Sequence, residues 1–261
     1  MSMLEITHHD AICRVKLNRP AALNSLCDEL LNGLSAALKD LATRTDTRVV
    51  ILEAEGKAFC AGHDLKEMTA ARANADGGAA YFKDLFERCS DLMMTIQTMP
   101  QPVIAQVHGL ATAAGCQLVA TCDLAVASDN VTFGVNGVNI GLFCSTPMVA
   151  LSRNIPRKFA FEMLTTGEFI TASRAAEIGL INKAVPAERL ADETTALAQK
   201  IAAKLGAAVR IGKEAFYTQA AMPTDEAYAY TGAVMAQNMM LDDTAEGIAA
   251  FIDKRPPTWQ Q

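Results

Sequence analysis

Two short segments contain the residues whose backbone could do chemistry. The first, residues 58–66, reads Ala-Phe-Cys-Ala-Gly-His-Asp-Leu-Lys, and the second, residues 108–117, is rich in glycine and alanine. Amides left unpaired at a glycine turn or at a helix start can donate to an anion or to a developing oxyanion. A purely structural interpretation also fits each segment. The first would then be an ordinary strand-to-helix loop, and the second a helix that packs tightly.

The other polar candidates carry weaker signals. Cys144, Ser145 and Thr146 form a polar triplet inside an uncharged run, and the simplest interpretation is a turn that caps the next helix. We expect His108 to be a buried histidine with a hydrogen-bond partner rather than a base. The histidines at 8 and 9 are expected in a solvated loop. Seven cysteines without a CxxC pair indicate reduced thiols and argue against a zinc site.

The elements that must position these segments alternate along the first half of the chain. Hydrophobic periodicity predicts strands over 11–17, 48–54, 102–107 and 124–127, and helices over 26–38, 81–98 and 111–122. Residues 57–68 are predicted as a loop that runs into a helical turn. This alternation predicts an α/β fold with a largely parallel sheet. After about residue 158 six helices are predicted, over 157–165, 172–179, 188–205, 207–219, 225–239 and 243–253.

Composition excludes several classes of protein. The chain has 261 residues, a net charge of −6, 51% hydrophobic residues and 20% charged residues, which excludes a disordered chain. An acidic chain offers no electrostatic footprint for nucleic acid and no basic patch for a membrane. The uncharged stretches 92–122 and 131–152 contain prolines, glycines and side-chain amides, so we predict buried interior rather than membrane spans.

The first ten residues lack the apolar run of a signal peptide. We therefore expect a cytoplasmic protein, or a mitochondrial matrix protein if a transit peptide has been removed.

Five ordered motifs resemble the crotonase (enoyl-CoA hydratase/isomerase) superfamily. They are LNRPAALNSL at 17–26, GKAFCAGHDLKEM at 56–68, VIAQVHGLATAAGCQLVATCDLAVAS at 103–128, FGVNGVNIGLFCSTP at 133–147 and FEMLTTGEFITASRAAEIGLINKAVP at 161–186. The FCSTP run is most similar to the domain-containing enoyl-CoA hydratase branch. The resemblance implies a spiral of ββα turns over residues 1–195 and a C-terminal helical trimerisation region over 196–261, in a homotrimer or hexamer. It implies acyl-CoA thioester substrates, with coenzyme A as part of the substrate, no other cofactor and no metal.

The same resemblance assigns roles to individual residues. The backbone amides of His63 and Ala114 would form an oxyanion hole for the thioester, although the family more often has glycine where Ala114 stands. Substrate contacts would come from Ala61, Asp64 and Leu65. Two residues near the C-terminus, Phe251 and Lys254, would lie near the coenzyme A of a neighbouring subunit.

The chain departs from the family pattern at the two glutamates that hydratases use. Gln117 and Gly137 stand in their places. A glutamine hydrogen-bonds but does not accept a proton at neutral pH, and glycine offers backbone only. Side chains that could replace the missing groups are Cys144, Ser145, Asn136, Asn139 and His63. Three functions follow: an acyl-CoA lyase or isomerase, a catalytically weak thioester-binding or regulatory protein, and a thioesterase or decarboxylase on the same scaffold.

Overall fold

The computed structural model describes residues 2–260, and their strands form two sheets. The larger sheet has the order β1-β2-β3-β5-β7-β10, and the smaller has the order β4-β6-β8-β9. In chain order the strands are β1 (Leu4–His9), β2 (Ile12–Leu17), β3 (Val49–Ala54), β4 (Ala58–Cys60), β5 (Val103–Val107), β6 (Leu110–Thr112), β7 (Leu124–Ser128), β8 (Thr132–Gly134), β9 (Ile170–Thr171) and β10 (Lys183–Val185).

The helices of the described residues follow the predicted order. They are α1 (Asp28–Ala42), α2 (Leu65–Ala71), α3 (Ala79–Thr98), α4 (Ala114–Thr121), α5 (Ser145–Asn154), α6 (Arg157–Thr166), α7 (Ala172–Glu177), α8 (Leu190–Ala202), α9 (Gly206–Gln219), α10 (Thr224–Met239) and α11 (Asp242–Ile252). Short 3-10 helices cover Pro20–Ala22, Asn136–Ile140 and Ala187–Arg189.

Consecutive strands divide between the two sheets, which makes the chain a spiral. β3 and β4, β5 and β6, and β7 and β8 each give one strand to the large sheet and one to the small sheet, before a helical segment follows. From β2 to β10 the neighbours in the large sheet are parallel, while β1 is an antiparallel edge strand. The α/β fold with ββα turns and C-terminal helices is confirmed.

The large sheet is apolar on both faces, and each face has its own cover. On one face Val15, Val50 and Leu52 belong to the main core together with the leucines of α1 and the apolar side of α3. On the other face Ile51 and Ile104 form a smaller cluster with Ala198 of α8. Burial on both faces explains why these strands read as continuous apolar runs in the sequence.

Three local predictions are corrected by the tertiary structure. The loop predicted over 57–68 contains β4, and the helix predicted from 111 begins at Ala114 because residues 110–112 form β6, which pairs with β4 and β8. His8 and His9 lie in the exposed edge strand β1 rather than in a loop. Strands of three residues are too short to show an alternating pattern, so only their pairing reveals them.

The C-terminal helices are the least covered part of the described chain. α10 contains no buried residue. Its residues Met235 and Met239, and Met240 directly after it, are 55% to 82% exposed. These exposed methionines are available for contacts between subunits, and the homotrimer or hexamer that the resemblance implies stays a prediction. The division at residue 195 falls inside α8 and stays a prediction as well. Within residues 2–260 no helix is both long and apolar enough to cross a membrane.

Candidate active site

The two small-residue segments lie against each other. Gly62 has φ +94°, and a Cβ at this position would lie 3.4 Å from the backbone nitrogen of Ala114 and 2.9 Å from the Ala113 Cβ. The turn needs a residue that tolerates positive φ, and the close approach leaves no room for a side chain. Both demands select glycine, so Gly62 brings the first segment onto the start of α4.

The hydrogen bonds around His63 leave its own amide unpaired. The Leu26 amide donates to the Gly62 carbonyl at 2.7 Å, and the Asp64 amide donates to the Leu26 carbonyl at 3.1 Å. This parallel bridge uses the Gly62 carbonyl and the Asp64 amide. The His63 amide between them therefore points away from Leu26. Among residues 2–260 the His63 amide has no hydrogen-bond acceptor.

The Ala114 amide is unpaired for a different reason. Ala114 is the first residue of α4, where a backbone N–H has no acceptor within the helix. No acceptor elsewhere in the described chain takes its place. The positive end of the helix dipole lies at the same point. Two free donors thus sit on neighbouring segments, and together they can hold one oxygen that gains negative charge.

Ala113 holds an uncommon backbone conformation between these donors. It has φ 49° and ψ −120°, a combination that costs a residue with a Cβ on the order of 1–3 kcal/mol. Hydrogen bonds on both sides keep it there. Its amide donates to the Gly134 carbonyl at 2.9 Å, and its carbonyl accepts from the Gln117 amide at 3.0 Å. The preceding Thr112 hydroxyl donates to the Asn136 side chain at 2.6 Å. Ala113 and Thr112 were not among the residues predicted individually from the sequence.

The residues at 114 and 115 are small for different structural reasons. A Cβ at Gly115 would lie 2.0 Å from the Cys60 carbonyl oxygen, so α4 packs directly on β4. The structural interpretation of this segment is therefore correct for Gly115. Ala114 itself is buried at the helix start.

The His63 ring is neutral, and neither of its nitrogens makes a hydrogen bond within residues 2–260. Both ring nitrogens are buried without a hydrogen-bond partner, and the ring meets Phe86 edge to face at 5.6 Å between centroids. Burial lowers the pKa of His63 to about 4, and the positive charge of Arg88 acts in the same direction. At neutral pH the imidazole is uncharged, so the group of this residue that remains available as a donor is its unpaired backbone amide.

Asp64 is held by the protein itself. Its carboxylate accepts from the Lys66 amide at 2.8 Å, which caps α2, and forms an ion pair with Arg19 at 2.6 Å. Burial acts to raise the pKa of Asp64, but the bonds from Arg19 and Lys66 outweigh it and hold that pKa below its ordinary value. Ala61 donates its amide to the Leu23 carbonyl, and the Leu65 side chain is 52% exposed. Substrate contacts by Ala61, Asp64 and Leu65 stay predictions.

Gln117 and Gly137, which the resemblance sets in place of the two hydratase glutamates, are both buried. Gln117 is 4% exposed, its side chain makes no hydrogen bond within residues 2–260, and its Oε1 is fully enclosed. At Gly137 a Cβ would lie 2.2 Å from the Leu142 carbonyl oxygen and 2.8 Å from the Cys144 sulfur. The space for a side chain at 137 is therefore filled by Leu142 and Cys144.

The other polar candidates are distributed around this site. Cys144 is buried just before α5, and burial raises the pKa of its thiol, which keeps it protonated at neutral pH. Ser145 is exposed and points its amide and hydroxyl back to the Phe143 carbonyl. Asn139 donates to the Gly167 carbonyl at 3.3 Å. His108 is half-buried and bonds the Gly56 carbonyl at 2.8 Å, which confirms the partner expected for it.

The C-terminal candidates lie apart from these contacts. Phe251 on α11 is 85% exposed, and Lys254 follows the helix with φ 55°. No hydrogen bond or ion pair in the described part of the chain joins either residue to the segments at 62–64 and 113–114. Residues 2–260 also hold no group of three or more potential metal ligands.

Comparison with known proteins agrees with this architecture. A model of the enoyl-CoA hydratase/isomerase family matches residues 7–261. Enoyl-CoA hydratase domain-containing protein 3, mitochondrial, of Rattus norvegicus is 48% identical over 250 residues, which cover 96% of this chain and 82% of that protein. The human protein of the same name is 47% identical, with 96% and 81% covered. These relatives confirm the resemblance to the domain-containing branch.

Solved structures give the same result in three dimensions. An enoyl-CoA hydratase of Mycobacterium smegmatis superposes with a TM-score of 0.95 at 51% identity, covering 99% of both chains. The structure of human enoyl coenzyme A hydratase domain-containing protein 3 superposes with a TM-score of 0.94 at 46% identity, covering 98% of this chain and all of that one.

Proposed function

This chain belongs to the enoyl-CoA hydratase/isomerase family, and we propose that it binds acyl-CoA thioesters and stabilises a thioester enolate with the backbone amides of His63 and Ala114. The observation that carries the proposal is a pair of unpaired amides, one that directly follows Gly62 and one whose nitrogen lies 3.4 Å from the position of the Cβ that Gly62 lacks. A thioester oxygen accepts from both. As the α-carbon loses a substituent and charge moves onto that oxygen, both bonds strengthen, and each such donor stabilises the charge by about 3 kcal/mol.

The surroundings favour this use of the amides. The bonds to Gly134 and Gln117 hold Ala113 and therefore fix the direction of the Ala114 amide before a substrate arrives. Donors that need no reorganisation stabilise charge more than mobile donors do. The neutral His63 ring and the protonated Cys144 thiol add no negative charge that would oppose the enolate.

The reaction that passes through the enolate is not ordinary two-carboxylate hydration. Gln117 can orient water but cannot take its proton, and Gly137 has no room for an acid. Loss of a general base costs about 10²–10⁴-fold in rate. Oxyanion stabilisation alone leaves an acceleration of about 10³-fold, by analogy with hydrolases stripped of their catalytic residues. Decarboxylation of a thioester is the second candidate, because the leaving carboxyl group supplies the electron pair and no protein base is needed.

The assembly state is part of the proposal. The exposed apolar side chains of α10 and α11 support a trimer or hexamer, with Phe251 and Lys254 near the coenzyme A of a neighbouring subunit. A stable monomer at micromolar concentration in light scattering would contradict it.

The cytoplasmic location also stays a prediction, and the names of the rat and human relatives place those proteins in mitochondria.

Calorimetry tests thioester binding directly. Butyryl-CoA, free coenzyme A and butyrate are titrated into the protein. We expect butyryl-CoA to bind more tightly than coenzyme A, because only the thioester gives the two amides an acceptor, and butyrate to bind weakly. Equal affinity for butyryl-CoA and coenzyme A, or no binding of either, would contradict the proposal.

A further inference from the structure

The C-terminal helices α9, α10 and α11 lie outside both apolar clusters of the described chain. Within residues 2–260, the members of those clusters and the side chains packed against them end at Ala202, the last residue of α8. Beyond it Leu205, Ala215 and Ala250 are buried singly, and α10 contributes no buried residue. Burial of an apolar face is the main force that fixes a helix on a core. Residues 203–260, which we call the C-terminal arm, therefore depend on other contacts.

A buried lysine of α9 supplies such a contact. Lys213 is 9% exposed. Its Nζ donates to the Asp123 carboxylate at 2.7 Å, to the Ile96 carbonyl at 2.7 Å and to the Gln101 carbonyl at 2.9 Å. All three N–H groups of the ammonium are thus used. A charged group is stable inside a protein only when it is paired and hydrogen-bonded in this way.

The end of α3 needs the donor that Lys213 brings. Ile96 lies in the last turn of α3, and the residue four positions later, which would donate to its carbonyl in a longer helix, is Pro100. Proline has no N–H, so a donor from elsewhere has to take that carbonyl. A cation is favoured there, since the negative end of the helix dipole lies at the C-terminus. Lys213 therefore stabilises the end of α3 as well as the position of α9.

Asp123 joins the arm to two strands of the large sheet. It directly precedes β7, and its Oδ2 also accepts from the Val103 amide at the start of β5 at 2.7 Å. Its Oδ1 accepts from the Tyr217 hydroxyl at 2.8 Å. Tyr217 follows Lys213 by four residues on α9, so the two side chains lie on the same face of the helix. Burial and the charge of Asp123 raise the pKa of Tyr217, which keeps its hydroxyl protonated as a donor.

The start of the arm is held by separate bonds. Arg48, directly before β3, donates to the Lys204 carbonyl at 3.2 Å. From the far end of the arm, Trp259 donates its Nε1 to the Ala203 carbonyl at 3.3 Å. These bonds keep the first and last residues of the arm beside the end of α8, whereas the bonds of Lys213 and Tyr217 hold α9 against the large sheet.

We propose that Asp123, Lys213 and Tyr217 form a latch, and that residues 203–260 open from the core as one unit when this latch is broken. The core keeps both apolar clusters in the open state, because the arm contributes to neither. The inference does not depend on thioester binding and goes beyond it. Phe251 and Lys254 belong to the arm, so the latch also sets their position relative to the core.

Hydrogen–deuterium exchange of the full chain, followed by mass spectrometry, tests the latch. In Lys213→Met the side-chain volume stays similar, but the Asp123 carboxylate loses its charged partner, which is strongly destabilising. We expect exchange across 206–252 to become about 100-fold faster, while exchange in α1 and β3 stays within about threefold of the wild type. Arg210→Met is the matched control, because it removes a positive charge from an exposed position of the same helix and should leave the exchange of the arm unchanged.

Tyr217→Phe is a milder variant that answers the same question if Lys213→Met fails to fold. It removes one hydrogen bond to a charged group and should speed exchange across the arm by about tenfold, with α1 and β3 again unchanged. A rise that is equal in the arm and in α1 and β3 would show that the cluster stabilises the whole protein and that no arm opens. An arm unchanged in the variants that fold, or changed equally by Arg210→Met, would also overturn the inference. Calorimetry with butyryl-CoA decides the proposed function separately.

Discussion

The Cβ that Gly62 lacks would stand 3.4 Å from the backbone nitrogen of Ala114. These two residues belong to segments separated by a whole ββα turn, and their contact brings the two unpaired amides together. The variant Gly62→Ala therefore changes the contact between the two segments directly. We expect it to weaken butyryl-CoA binding by about tenfold or more, because the new methyl pushes the segments apart by tenths of an ångström and separates the donors.

Gly77→Ala is the matched control for that experiment. Gly77 has φ +67° and nothing within 4 Å of its missing Cβ, so the substitution adds backbone strain without a clash. Both variants should lose stability in thermal unfolding, and only Gly62→Ala should lose thioester affinity. Equal loss of affinity in the two variants would mean that strain, rather than the amide geometry, causes it.

Gln117→Glu should raise the rate of crotonyl-CoA hydration above that of the wild type. The substitution places a base at position 117, where the resemblance expects one, and a general base contributes about 10²–10⁴-fold. Burial without a partner for Oε1 penalises the charged form, so the pKa of the new carboxyl lies above its ordinary value and the rate rises with pH through it. Steady-state rates across pH 5–9 provide the measurement.

Gln117→Leu is the control, since it keeps the volume and has no polar group. It should leave the hydration rate at or below the wild-type value. Rapid wild-type hydration that both substitutions leave unchanged would show that the acid and base groups lie elsewhere. Cys144→Ser and Ser145→Ala would then be the next variants to assay.

Gly137→Ala should destabilise the protein, which makes restoration of both glutamates impractical. Its Cβ would meet the Leu142 carbonyl oxygen at 2.2 Å, and a backbone atom yields only if the 136–142 segment moves. Overpacking of this kind costs about 1–3 kcal/mol. Gly212→Ala on α9 is the control, because nothing lies within 4 Å of its Cβ and alanine favours a helix. Denaturant unfolding should show a loss for the first variant and no loss for the second.

Stability should fall as the pH drops from about 6.5 to about 4, and His63 should account for part of that fall. Burial lowers the pKa of His63 to about 4 in the folded protein, below its ordinary value of 6.5. Between these values the unfolded chain binds a proton that the folded protein refuses, so acid favours unfolding. The full contribution is on the order of 3 kcal/mol. His63→Phe keeps the ring and the backbone amide, and its stability should depend less on pH in this window.

The carboxyl group of Glu246 titrates at lower pH than the His63 ring, so the two effects on stability can be told apart. Arg255 and the Thr258 amide lower the pKa of Glu246 to about 2, so its contribution is lost only as the pH falls toward that value. Urea unfolding of wild type and His63→Phe at half-unit steps from pH 7 to 4 isolates the histidine. Identical pH dependence in the two proteins would contradict the neutral, buried ring.

Much of the fold could be predicted from the sequence, because the spacing of apolar residues along a long helix or strand indicates which of its faces is buried. The strands β2, β3, β5 and β7 lie where they were predicted, and so do α1, α3 and the six helices after residue 156, within a few residues. The glycines and alanines within 58–66 and 108–117 marked the segments of the site, since a close approach of backbones requires small residues. The family motifs carried the fold class and the oxyanion assignment to His63 and Ala114.

Only the tertiary structure decided how those segments meet. The strands β4, β6 and β8 have three residues each, and no pattern of that length distinguishes a strand from a loop. The His63 amide is free because Leu26, from another part of the chain, pairs with the groups on either side of it. Gly137 looked like a position emptied of its acid, whereas the Leu142 carbonyl and the Cys144 sulfur occupy its space. Residue types determine which contacts are possible, but whether an amide stays free or a space stays open depends on long-range packing, which local sequence does not encode.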